Sequence, residues 1–180
     1  MFDTDYTING RHATQLKSLA VKNSKDDTPN TGIFERYIDV YMNAALFGMI
    51  YNRTAARDNS SEDRARIYAD AFARERTYCM FLYRLVMLLD ESTGISKEER
   101  IDRAFRHDSS PDNDEELKKN LELFHSYVRG GIELMYERFT DGCHSKDDYM
   151  LKIHDIMESF REELDGHLID DELLGLNDHN

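Results

Sequence analysis

The stretch NLELFHSYVRGGIELMYERF, residues 120–139, decides how this chain folds. It reads as helix on both sides of two consecutive glycines, Gly130 and Gly131, although each costs about 1 kcal/mol against alanine inside a helix. The apolar series Leu117, Leu121, Phe124, Val128, Ile132, Met135 and Phe139 keeps a helical period straight through the pair. A break would reset that phase, so the spacing predicts one helix over residues 115–139. Three roles for the glycines compete. They can end a helix with a left-handed residue, admit a second helix at short range, or present backbone amides to an anion such as phosphate. The unbroken phase argues against the first, and no Lys-Ser/Thr pair or further glycine supports the third. The second has a counterpart in Ala44, Ala45 and Gly48, a patch of small residues on another predicted helix. The expectation is that this patch faces Gly130 and Gly131, within one chain or across a dimer. A mild kink at the pair is the alternative.

Outward from that helix, the chain reads as all-α: a bundle of five or six helices, with a short strand around Tyr6–Ile8. A short amphipathic helix is predicted over 11–22 and a loop over 23–32. The helix of 33–53 carries Phe34, Tyr37, Ile38, Tyr41, Ala45 and Gly48 on one stripe. Ser60 and Asp63 pattern as a cap for a long helix over 63–91. Its segment 78–89 is apolar nearly all round and is expected to be the spine of the core. Ser96 and Glu99 form a capping box for a helix ending near His107, and residues 108–114 read as a loop. A last helix over 146–165, opened by Ser145 and Asp148, buries Tyr149, Ile153, Ile156, Met157, Phe160 and Leu164 and stops at Gly166. Residues 166–180 form an acidic tail, and the whole is expected to be one domain.

Composition narrows the function classes. The 180 residues carry a net charge of −13, and the two cysteines, Cys79 and Cys143, cannot make a disulfide framework. No leader-like segment or membrane-length apolar run is visible, so the cytoplasm is the expected compartment. Residues 1–108 hold 16 Lys/Arg against 17 Asp/Glu, whereas 109–180 hold 7 against 19. The second half should repel nucleic acid and anionic membrane and attract basic partner surfaces.

Candidate chemistry is sparse. Glu122 and His125 make one Glu-x-x-His, the spacing of carboxylate-bridged di-iron bundles, but no second copy follows. Glu99 with Asp102, and Glu162 with Asp165, have the spacing of magnesium-binding pairs in helical nucleotide pyrophosphatases. Neither set comes with a nucleotide-binding or zinc motif, so no cofactor is expected. Seven arginines fall between 53 and 84: Arg53, Arg57, Arg64, Arg66, Arg74, Arg76 and Arg84. The first six are the candidate anion-binding set, because guanidinium forks match phosphate and carboxylate. The other reading is a salt-bridged helix face, with Arg74 on Asp70 and Arg66 on Glu62 or Asp70. Arg84, inside the most apolar stretch, is expected to pair with a buried carboxylate, Asp39 or Glu35, or to face a partner.

The segments TINGRHATQLKSLA, FERYIDVYMNAALFG and FHSYVRGGIELMYE, in that order, resemble small uncharacterised bacterial proteins associated with DNA phosphorothioation (Dnd) gene clusters. Phe34, Asp39, Ala44, Ala45, Gly48, Tyr127 and the Gly130–Gly131 pair carry the likeness. It implies a prokaryotic accessory of a DNA-modification or anti-phage locus, and no catalytic residues. The leading expectation is therefore a non-enzymatic adaptor whose acidic face (112–172) or leucine-bearing tail contacts a basic protein partner or a second copy. A metal-dependent helical enzyme acting on nucleotides, and a nucleic-acid binder using the Arg-rich helix, are the alternatives.

Overall fold

The structure is a computed structural model that describes residues 1–20, 32–106, 114–143 and 146–168. It is all-α apart from one small sheet. The order is β1 (Tyr6–Asn9), α1 (Gly10–Leu19), α2 (Tyr37–Ile50), β2 (Arg64–Ile67), α3 (Ala69–Arg74), α4 (Arg76–Leu89), α5 (Lys97–Phe105), α6 (Asp114–Thr140) and α7 (Lys146–Leu168). The chain divides into two compact units, Met1–Glu137 and Arg138–Asn180. The loop read over 108–114 falls, but for Asp114, outside the described residues, as do Ser145 and the tail beyond Leu168.

In the first unit, β1 and β2 pair antiparallel, with Tyr6 opposite Ile67 and Ile8 opposite Ala65. Ile8, Ala65 and Ile67 are buried while Thr7, Arg64 and Arg66 face out, the alternation of a half-buried sheet. This overturns the single helix read over 63–91. Only four residues alternate on β2, and the partner that makes them a strand lies some sixty positions earlier. Asp63 does not cap a helix. Its carboxylate accepts from Thr14 Oγ1 at 2.7 Å and pairs with Lys17, while Ser60 donates to Asp58 at 3.0 Å. Asp58 in turn accepts from the Arg11 amide at 2.7 Å, capping α1, whose first residue Gly10 holds φ +63°. Asp5 does the same for α3 through the Ala69 amide at 2.8 Å. Both helices are thus capped by side chains from distant sequence.

The core is aromatic. Phe2, Tyr41, Phe72, Tyr83 and Phe124 form a cluster with ring centroids 5.3–6.5 Å apart, mostly edge to face. Such pairs add about 0.5–1.5 kcal/mol each beyond their buried area. α4 contributes Cys79, Tyr83, Val86 and Met87 to this core, yet Tyr78, Phe81 and Leu89 of the same helix are 65%, 60% and 51% exposed. It is an amphipathic wall helix and not the all-round spine that its composition predicts. Ser96 and Glu99 do form the capping box of α5, at 3.2 and 2.8 Å.

In the second unit α7 runs through Gly166 to Leu168, so the predicted stop does not end it. Of its predicted stripe, Tyr149, Ile153 and Ile156 are half-buried and Met157 is 67% exposed, and the side chains of Phe160 and Leu164 lie outside the described residues. No helix among the described residues is long and apolar enough to cross a membrane.

Candidate functional site

α6 continues unbroken through Gly130 and Gly131, and two different backbones cross it there. A Cβ on Gly131 would stand 2.6 Å from the Ala44 carbonyl carbon of α2 and nearer still to its oxygen. One on Gly130 would stand 2.8 Å from the Thr54 Cα, in the segment that follows α2. From the other side, a Cβ on Gly48 would meet the Tyr127 carbonyl carbon at 2.9 Å. Each glycine marks a backbone-on-backbone approach that no side chain permits. Ala44, Ala45, Gly48, Gly130 and Gly131 are all buried within this one unit, so they are seats of internal packing and not a partner surface. The segment after α2 is fastened over α6 as well: the Ala55 amide donates to Ser126 O at 2.9 Å, and Arg129 Nε donates to Ala55 O at 2.8 Å.

The same face of α6 carries a ladder of charge. Glu122 binds Arg57, with Nε at 3.0 Å, and buried Arg129 at 2.8 Å. Glu133 receives Arg11 at 2.8 Å, His12 Nε2 at 2.9 Å and Arg53 at 3.4 Å, and Glu137 receives Arg53 at 2.6 Å. His125, the predicted partner of Glu122, turns to other company. Its ring stacks on Tyr6 at 3.9 Å and shares a 3.1 Å hydrogen bond with the Tyr41 hydroxyl. Burial, aided by the Arg129 charge, pushes its imidazole down to about 3. Glu122 is spent on two guanidiniums and His125 on two tyrosines, so the pair does not converge on a metal. Among the described residues no group of three or more His, Cys, Asp or Glu is arranged to hold one. Glu99 caps α5, Asp102 pairs with Arg106 at 2.6 Å, Glu162 is exposed on α7, and the side chain of Asp165 lies outside the described residues.

The predicted Arg-rich helix does not exist as one face. Arg53 and Arg57 lie in the segment crossing α6, Arg64 and Arg66 on β2, Arg74 on α3, and Arg76 and Arg84 on α4. Arg66 pairs with Asp5, not with Glu62 or Asp70, and lies 5.3 Å over the Tyr68 ring. Arg74 meets Asp70 at 3.5 Å, as its spacing predicts. Asp39 is taken by Arg36 at 2.6 Å, and Glu35 is exposed. Arg84 lies 5.5 Å over the Phe105 ring.

A second polar centre, invisible in the sequence, lies where α4 ends. Asp90 is buried and accepts from Tyr127 Oη at 2.6 Å, Ser92 Oγ at 2.5 Å, Thr93 Oγ1 at 2.9 Å and Arg103 Nη2 at 3.1 Å. Burial alone would raise its carboxyl, but these four donors outweigh it and hold the group at about 2. Arg103 also donates to Met87 O at 2.6 Å, satisfying the end of α4. The local signal was Asp-x-Ser-Thr at 90–93; the distant donors Arg103 and Tyr127 left no trace in spacing.

Outside these closed networks, one open feature among the described residues is a groove of about 580 Å³ along α4, walled on its far side by Phe105 of α5. Met80, Phe81, Leu85 and Leu88 line it, with Arg76 and Arg84 among them. Family models, curated proteins and solved structures were compared with this chain, and none matches.

Proposed function

We propose that the chain is a non-enzymatic interaction protein, an adaptor that holds a helix of a protein partner on the open face of α4 and α5. The observation that carries this reading is the exposure of Tyr78, Phe81 and Leu89 on α4 beside Ile101 and Phe105 on α5. Exposed apolar surface of this kind marks interaction sites, and aromatic side chains are the usual anchors. The polar side chains around Glu122, Glu133 and Asp90 are engaged with one another, which supports binding over chemistry. A metal-dependent enzyme would need carboxylates or imidazoles converging in one cleft, and a nucleic-acid binder would need its arginines aligned. Glu122, His125 and the dispersed arginines support neither. The setting we propose is the one implied by the sequence resemblance: a cytoplasmic accessory of a prokaryotic DNA-modification or anti-phage locus.

The test compares tagged wild type with Phe81→Asp and with Arg64→Glu, an exposed charge on β2. A partner should co-purify with wild type and with Arg64→Glu and be lost from Phe81→Asp. A bound set unchanged by Phe81→Asp, or no partner at all, overturns the reading.

A further inference from the structure

The residue before α1 is Asn9, a side chain well suited to capping a helix N-terminus, yet it makes no capping bond. Asp58 takes the Arg11 amide in its place, and Asn9 Oδ1 is buried without a hydrogen bond among the described residues. On α6, Arg129 is 4% exposed, with Nε spent on Ala55 O and Nη2 on Glu122, both at 2.8 Å. Its Nη1 is buried and meets no acceptor among the described residues. One acceptor and one charged donor are thus left over, a state that native folds rarely leave standing. Both residues line one cleft of about 30 Å³, walled by β1 and by Arg57 and Asp58 of the segment after α2. Tyr6 belongs to the same wall. Burial raises its hydroxyl and the Arg129 charge pulls the other way, so the phenol oxygen and the guanidinium are neighbours, although Nη1 does not reach it at hydrogen-bond geometry. A buried water needs about 10–15 Å³ and about two to four polar partners, and this cleft supplies both. The lining also selects against ions. Arg57 and Arg129 oppose a cation, while Asp58 and the Asn9 oxygen oppose an anion. What fits is a small neutral molecule that accepts on one side and donates on the other.

We propose that this cleft is the binding site of an ordered water, which accepts from Arg129 Nη1, donates to Asn9 Oδ1 and is shared with the Tyr6 hydroxyl. It completes the hydrogen bonding of a buried charge and joins β1 to α6 where the segment after α2 crosses them. The site stands apart from the α4–α5 face and does not depend on what that face binds.

A high-resolution crystal structure of the full chain tests the site directly. The expected result is a density peak at about 2.7–3.2 Å from both Arg129 Nη1 and Asn9 Oδ1. A direct Asn9–Arg129 hydrogen bond with nothing between them overturns the proposal. Crystals soaked in bromide test the neutral assignment, since an anomalous peak in the cleft makes the occupant an anion and overturns it. In solution, oxygen-17 relaxation dispersion counts the waters that a protein holds long enough to tumble with it. Asn9→Leu removes the acceptor and fills the cleft, so its dispersion should fall by the amplitude of one long-lived water relative to wild type. An unchanged amplitude in a folded Asn9→Leu protein overturns the site. Should Asn9→Leu fail to fold, the two crystal measurements decide on the wild-type chain alone.

Discussion

Gly131→Ala separates helix propensity from helix crossing, because the two push stability in opposite directions. In an open helix the change stabilises by about 1 kcal/mol. Here the added methyl would stand 2.6 Å from the Ala44 carbonyl carbon and 2.9 Å from its Cα, whereas carbon atoms rest at about 3.5–4.0 Å. α2 and α6 must therefore part by about 1 Å, and a gap of that size forfeits about a quarter to a half of each contact along the crossing. Overpacking of this kind costs about 1–3 kcal/mol. Both partners are helix backbone, which cannot yield as a side chain does, so the top of that range applies. Net of the propensity gain, about 2 kcal/mol of destabilisation is expected, or about 4–8 °C in Tm for a chain of this length. Near-UV circular dichroism is the suitable probe, since Tyr41 and Tyr83 report the core of the first unit directly. Gly130→Ala should lose less, because the Arg53–Thr54 segment it meets is not helical and shifts more readily. A Gly131→Ala protein that melts at or above the wild-type temperature refutes the crossing.

Acid should weaken the fold through His125. Its folded imidazole is held at about 3 against an ordinary 6.5, so the unfolded chain takes up the proton first. Stability is full above about pH 7 and falls as pH drops from 6.5 toward 3, by about 2 kcal/mol at pH 5. Buried His12, also shifted down by burial, acts in the same direction. Urea midpoints at pH 7 and pH 5 measure the loss, and His125→Gln should shrink it; an unchanged difference counts against the buried neutral ring. Asp90→Asn strips the buried Arg103 of its counter-charge and should cost about 3 kcal/mol, against about 1 kcal/mol for Tyr127→Phe, both read from urea curves. Phe81→Asp changes an exposed position and should leave Tm within about 2 °C of wild type; a larger drop in a thermal melt means that Phe81 supports the core.

The elements that were legible are those whose evidence is local. The phase of α6 through Gly130 and Gly131 and the Ser96–Glu99 box each sit within a few turns of chain, and both appear where the spacing puts them. The small residues of α2 were legible by type, since only their lack of side chains suits a backbone crossing. What stayed hidden depends on distant partners. β2 is a strand because β1 pairs with it, and Phe2 belongs to the core because Phe72, Tyr83 and Phe124 surround it. The composition of α4 misled for a related reason. Apolar side chains all round a helix mean burial all round only if neighbours cover every face, and in this unit Tyr78 and Phe81 face out. The groove was thus written in the sequence as hydrophobicity, while its openness was not.

The seat that Ala44 offers to Gly131 also has a place in time. At about 5–20 residues per second, roughly 4–17 s of synthesis separate one from the other. Through that interval α2 is made but the helix that will lie in its seat is not, and Tyr41 waits as long for Phe124. The newborn chain therefore carries a bare aromatic flank while some 87 further residues are added, and closes it only when α6 clears the ribosome.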